Sequence, residues 1–459
     1  MEIKYTFYGR RRIVSDSLGK TAAKRMPLLL ETLIGALLMG FLWRVRGTHG
    51  WGSSWGLLNA GFVFLLFLTA AVRRKRSPSL LLISLAALSF MLTSPAWGTL
   101  LGQITGVLRL TLPDGSSEDI LISPASGVVM MLCMGFGLAG VFGVLLGRCF
   151  SDKKWRVWDY VAVAAAALIV TYAAKATIAH LFVRVAEPQA AEAFADGLKE
   201  AGIDGSVFKA YLAHFNSDPW AKKIAGGRNY YACVSAFSAA LAAVAAIMTA
   251  RFIVKDKYAA GTGALVCGAF AFSITVSDLF FFFGDGGYRM AQGFSLPESF
   301  APWSLWEYFT GFFAGGIITF YIIKTSRPEP ETPSLLDGMP RKAGNALFFF
   351  LTCIGGIGLN AVRPVLVRLD ESKLMIPATV AAALIVLAVC LVLCKKYGAR
   401  WEKIPLPTLS RALCAAFVVY IFILYMFVGE GNITSIGMLH NILVCISAAA
   451  VLARCACKY

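Results

Sequence analysis

A succession of apolar runs, each long enough to cross a bilayer as a helix, constrains this chain more than any motif in it. A hydrocarbon core of about 30 Å takes roughly 20 mostly apolar residues in helical form. No water is available there, so every backbone N–H and C=O must be bonded within the segment. Twelve runs meet the condition, at about 27–43, 56–72, 79–100, 126–147, 159–183, 229–252, 258–283, 303–323, 343–362, 374–394, 409–428 and 433–453. They are apolar on all faces, unlike the alternating segments of a membrane barrel. The expected fold is all-α, a polytopic integral membrane helix bundle of about 12 transmembrane helices.

Composition removes the competing classes. The 459 residues are 58% hydrophobic and 15% charged, with a mean hydropathy of +0.68. A soluble domain carries about 25% charged residues, so a soluble enzyme and a disordered chain are both excluded. The formal charge of +17 is explained by topology rather than by a nucleic-acid partner. With twelve crossings the two termini share a side, and 29 of the 43 Lys and Arg fall in the segments on that side. By the positive-inside rule this side is the cytoplasm. The expected location is the cytoplasmic (plasma) membrane, the inner membrane of the cell, with the lipid bilayer as partner and no nucleic acid.

The loops divide the chain. Residues 1–26 form a basic cytoplasmic segment with Arg10, Arg11, Arg12, Lys24 and Arg25, suited to an anionic inner leaflet. Residues 27–324 form an eight-helix bundle, and its outer stretch 184–228 has the period of short amphipathic helices and reads as a cap. The linker 325–342 holds Pro328, Pro330, Pro333 and Pro340 and separates that bundle from a four-helix bundle at 343–459. Pro113-Asp114-Gly115 is a turn signal inside a possible outer hairpin over 109–125. Gly135, Gly143 and Gly147, and again Gly311 with Gly315, lie at spacings that let helices approach closely.

Ionisable side chains within spans are costly, about 2.5–3.5 kcal/mol at the bilayer centre on the gentler scales, so each needs a reason. Asp278 and Lys175 are the deepest. An interhelical ion pair between them is the plain explanation, and a proton or cation coupling site at Asp278 is the functional one. The most unusual string is WRVRGTHGWGSSWG, residues 43–56, at the outer end of the first span. Arg44 and Arg46 could grip a carboxylate, phosphate or sulfate in bidentate geometry, His49 could relay a proton, and Trp51 and Trp55 could line the solute. A second cluster faces the same side, with Asp285 and Arg289 after an aromatic run and Trp303, Trp306 and Glu307 opening the eighth span. Arg363 adds a further outer cation. Trp303 and Glu307 are one helical turn apart, so the carboxylate is expected to look out beneath an indole.

Two functions fit these residues. The first is a secondary transporter, a permease for an anionic or sugar-like small solute, with Arg44, Arg46, Trp51, Trp55, Arg289, Trp303, Trp306 and Arg363 as binding residues. The second is a membrane transferase or hydrolase acting on a glycan or lipid-linked substrate at the outer face, with Glu307, Asp285 and His49 as catalytic groups. A scaffold subunit is the blandest alternative. No cofactor and no metal is expected. The G-x-G-x-x-G of Gly135, Gly137 and Gly140 lies inside a span with no strand before it and reads as packing. The G-x-S-x-G of Gly52, Ser54 and Gly56 likewise lacks its strand-turn-helix setting.

Overall fold

The computed structural model describes residues 28–48, 53–72, 78, 80–92, 99–203, 207–213, 221, 223–283 and 302–327. The basic segment 1–26, the Pro-rich linker beyond Arg327 and the four-helix bundle 343–459 lie outside the described residues. What is described is mostly helical. Three helices, Val157–Lys175, Gly227–Ile253 and Lys257–Phe282, are long and apolar enough to cross a membrane, and a bent pair over 124–150 makes a fourth if it is one span.

The order begins with α1 (Leu28–Thr48), α2 (Ser53–Val72) and α3 (Leu80–Leu92). A 3-10 turn (Gln103–Thr105) and the strands β1 (Val107–Thr111) and β2 (Ser117–Leu121) follow, so the described fold is not helical throughout. The strands pair antiparallel, with Arg109 opposite Asp119, and the turn between them uses Gly115 at φ 86°. Then come α4 (Pro124–Leu138), α5 (Gly140–Phe150), α6 (Val157–Lys175), α7 (Ile178–Ala186), α8 (Pro188–Glu200) and α9 (Val207–Ala213). The last three are α10 (Gly227–Met248), α11 (Lys257–Asp278) and α12 (Pro302–Thr325). A π-helical turn, Thr249–Ile253, ends α10, and a 3-10 turn, Leu279–Phe283, ends α11.

Two expected continuous spans are broken, each for a local reason. The run 126–147 bends by 43° between α4 and α5. Gly137 and Gly140 flank the bend, and a Cβ on either would strike the backbone or Cβ of Ala239, Ala240 or Ala243 on α10, so the kink sits where two helices come closest. The run 159–183 stops at Lys175 and resumes as α7. The Lys175 carbonyl, which the break would leave without an amide donor, is met by His180 Nε2 at 2.8 Å.

Glycine contacts and aromatic rings hold the core together. Gly135, Gly143 and Gly147 abut α11, which is the packing reading of that glycine string. Gly311 and Gly315 of α12 abut Met39, Gly40 and Gly35 of α1, where an added Cβ on Gly311 would strike the Met39 carbonyl oxygen. Trp43 of α1, Phe90 of α3, Phe142 of α5 and Phe270 of α11 meet with ring centroids 4.2–6.0 Å apart. All four are buried, at separations where aromatic pairs add to the burial of their area. At one end of the bundle Asp256 is a buried hub. Its carboxylate caps α11 by accepting from Tyr258 N and Ala259 N, and it also accepts from Ser151 Oγ and Trp155 Nε1.

Candidate functional site

The site is built at the opposite end of α11, where α1, α11, α12 and the Gln103–Thr105 turn come together. Arg44 stands one helical position past Trp43, whose ring is locked into the aromatic core. Glu307 lies on α12, one turn before Gly311, and Gly311 lets the two helices approach until it meets the Trp43 Cβ. This contact brings the two charges together. Arg44 Nη1 donates to Glu307 Oε2 at 2.6 Å, and both residues are about 5% exposed. The expectation that Glu307 looks outward under Trp303 therefore gives way. Trp303 is 47% exposed and edge-on to Phe281, whereas the carboxylate turns inward because a guanidinium is there to meet it.

Asp278 ends α11 fully buried. Its carboxylate accepts the backbone N–H of Gly102 at 2.9 Å and of Ile104 at 3.3 Å, and so pins a turn 174 to 176 residues away in sequence. The Gln103–Thr105 turn folds tightly because Gly102 and Gly106 take φ of 82° and 83°, the left-handed region that other residues avoid. Gln103 at its tip is fully buried, and neither its amide nitrogen nor its amide oxygen has a hydrogen-bond partner among the described residues. The same is true of Ser277 Oγ, Thr310 Oγ1 and Trp306 Nε1. Buried polar groups are ordinarily satisfied, so this end of the bundle holds unspent hydrogen-bonding capacity beside a charge pair.

The expected residues divide as follows. Arg44, Glu307, Trp303, Trp306 and Asp278 fall at this one end. Lys175 does not. It ends α6 with its ammonium 5.3 Å from the Tyr231 ring centroid, and the expected pair with Asp278 is not formed, since the Asp278 oxygens are taken by backbone amides. Arg46 and Trp55 lie on α1 and α2 with side chains outside the described residues. His49, Trp51, Asp285, Arg289 and Arg363 lie outside them altogether.

A second polar cluster, which residue spacing did not reveal, sits under the cap. His180 Nδ1 and Tyr230 Oη are 2.7 Å apart. Glu187, between α7 and α8, is fully buried with no partner for either carboxylate oxygen among the described residues. Desolvation pushes its pKa up to about 7. Its one signal in the sequence is the Pro188 that follows it and opens α8. Among the described residues no three His, Cys, Asp or Glu side chains gather in a way that could hold a metal ion.

The class these elements define is a mostly helical protein with three helices, or four if the bent pair is one, long and apolar enough to cross a membrane. Comparison with protein-family models, with curated proteins and with solved structures found no match.

Proposed function

We propose that this protein is a permease of the cytoplasmic membrane, with about twelve spans and both termini inside, that moves an anionic or sugar-like small solute. The observation that carries the reading is the Arg44–Glu307 pair, buried between two helices 263 residues apart in sequence. Charges in a membrane interior mark solute and ion pathways more often than they serve stability, because desolvation can exceed the Coulombic gain of a buried pair. A solute carboxylate, phosphate or sulfate can take the place of Glu307 on the Arg44 guanidinium, whose planar fork suits those groups. Displacing Glu307 would free α12 to shift along its glycine contact with α1. The orphaned Gln103 amide and Trp306 indole supply neutral donors and an acceptor for the rest of the solute, and Asp278 is the group that a coupled proton or sodium ion would reach. A transferase or hydrolase would need Glu307 free to exchange a proton, and here it is held by a permanent cation.

Uptake into proteoliposomes tests the reading, with radiolabelled monocarboxylates, sugar phosphates and neutral hexoses as the panel. At least one anionic solute is expected to enter above empty liposomes, and Arg44→Gln should abolish that entry. No uptake of any member, or uptake indifferent to Arg44→Gln, rejects the proposal. Turnover of a glycan or lipid-linked phosphate with no flux, lost on Glu307→Gln, would put the enzyme in its place.

A further inference from the structure

A second site lies away from this one. α6 packs on α10 but stands off from α3 and α5, leaving a cleft of about 580 Å³, within the range of about 300–1,000 Å³ typical of ligand sites. One wall is the face of α6 that carries Tyr160, Ala164, Ala167, Thr171 and Lys175, and the floor is the face of α10 that carries Tyr231, Ser235, Ala239 and Ala242. From Tyr160 to Lys175 the cleft runs fifteen residues of helix, about 22 Å at 1.5 Å per residue. One leaflet of a hydrocarbon core is about 15 Å deep. The cleft is thus long, narrow, apolar through its middle, and parallel to a helix that is apolar and long enough to span the membrane.

Of its polar side chains, Ser89 and Thr171 are bonded to carbonyls of their own helices, Tyr160 stands at the far end, and a cation and a hydroxyl share the near one. Lys175 Nζ lies over the Tyr231 ring there, and no carboxylate pairs with it among the described residues. One helical turn further along α10, Ser235 is 7% exposed and lines the cleft, and its Oγ has no hydrogen-bond partner among the described residues. Beyond Ser235 the lining passes Ala239, Ala242, Ala243, Val141 and Leu145 before it reaches Tyr160. A lysine that merely stretched its stem to the interface would explain Nζ, but not an unsatisfied hydroxyl a turn below it.

We propose that this cleft binds one anionic diacyl glycerophospholipid. The phosphate meets Lys175, an ester carbonyl accepts from Ser235 Oγ, and one acyl chain fills the alanine-lined groove toward Tyr160. From the Lys175 end as far as Tyr160 the groups run cation, hydroxyl donor, then hydrocarbon, the order met down a phospholipid. The inference needs α6 to cross the bilayer and is independent of which solute the protein moves.

Native mass spectrometry of the delipidated full-length protein, titrated with phosphatidylglycerol, provides the test. One lipid per chain is expected to be retained. Lys175→Gln should weaken retention about fivefold, as one lysine at a membrane surface contributes, and should erase the preference over phosphatidylcholine. Ser235→Ala should equalise binding of the diester lipid and its diether analogue, which lacks the carbonyl. Ala242→Phe should block the groove and abolish retention, with a thermal melt confirming that the variant is folded. Should it not fold, the lysine and serine variants decide alone. Retention unchanged in those two variants would assign the lipid to the general surface and overturn the proposal. Equal binding of glycerol phosphate without chains would do the same, as would no retention by the wild type, the result if another part of this chain occupies the cleft.

Discussion

At the residue scale, buried charges are met in different ways, Arg44 and Glu307 by each other, Asp256 and Asp278 by backbone amides. Arg44 and Glu307 satisfy each other at 2.6 Å, and removing one partner leaves an uncompensated buried charge, which typically destabilises by about 3–5 kcal/mol. Glu307→Leu alone should therefore lower the melting temperature sharply. The double variant Arg44→Met with Glu307→Leu should recover most of the loss, and equal losses in the single and double variants would show that the pair does not hold the helices together. Glu187 has no such partner among the described residues. Burial raises its pKa from 4.5 to about 7. Between those values the native chain keeps a proton that the unfolded chain has lost, so stability falls as pH rises through the window and levels off above it. Glu187→Gln should thus be more stable than the wild type at pH 8, by at most about 3 kcal/mol, and equal to it near pH 4.5. Thermal melts across that range will show whether the gap opens with rising pH.

At the element scale, glycine decides which helices touch. A Cβ on Gly311 would meet the Met39 carbonyl and the Trp43 Cβ, whereas one on Gly268 of α11 meets nothing within 4 Å. Gly311→Ala should destabilise by about 1–3 kcal/mol through overpacking. Gly268→Ala should be neutral or stabilising by up to about 1 kcal/mol through helix propensity alone. A matched pair of melts checks both, and a harmless Gly311→Ala would mean that α1 and α12 are further apart than described. Asp256 plays the corresponding part for the loop between α5 and α6. Asp256→Ala removes the cap of α11 and leaves Ser151 Oγ and Trp155 Nε1 without their acceptor. The expected loss exceeds the roughly 1 kcal/mol of an ordinary cap, and Asp256→Asn should restore part of it.

At the scale of the whole molecule, the structure sets two loops at opposite ends of the bent pair α4 and α5, the β1–β2 turn at Gly115 and the polar stretch 151–156. If that pair is one span, they face opposite sides of the membrane. A membrane-impermeant maleimide should label Gly115→Cys in intact cells and should reach Lys153→Cys only after permeabilisation. Labelling of both from outside would refute the topology. The apolar runs and the basic bias of their connections made the membrane class legible, because both follow from one-dimensional counts of transfer free energy and charge. α3 covers Leu80–Leu92 of the third run, residues 93–98 lie outside the described ones, and the buried Gln103–Thr105 turn follows the run. Hydropathy counts apolar residues and does not register the glycine pair that lets the backbone turn there.

The sequence by itself determined that the chain carries apolar runs long enough to cross a membrane and that few of its charges lie within them. Only the tertiary structure decided which charges meet. Arg44 found Glu307 rather than an outer surface, Asp278 found two backbone amides rather than Lys175, and Lys175 was left in the lining of a largely apolar cleft. The reason is one of range. Transfer energies are additive along the chain and can be read residue by residue, whereas pairing energies depend on distances of a few ångströms between side chains more than a hundred residues apart. Those distances were set by where glycines let helices close.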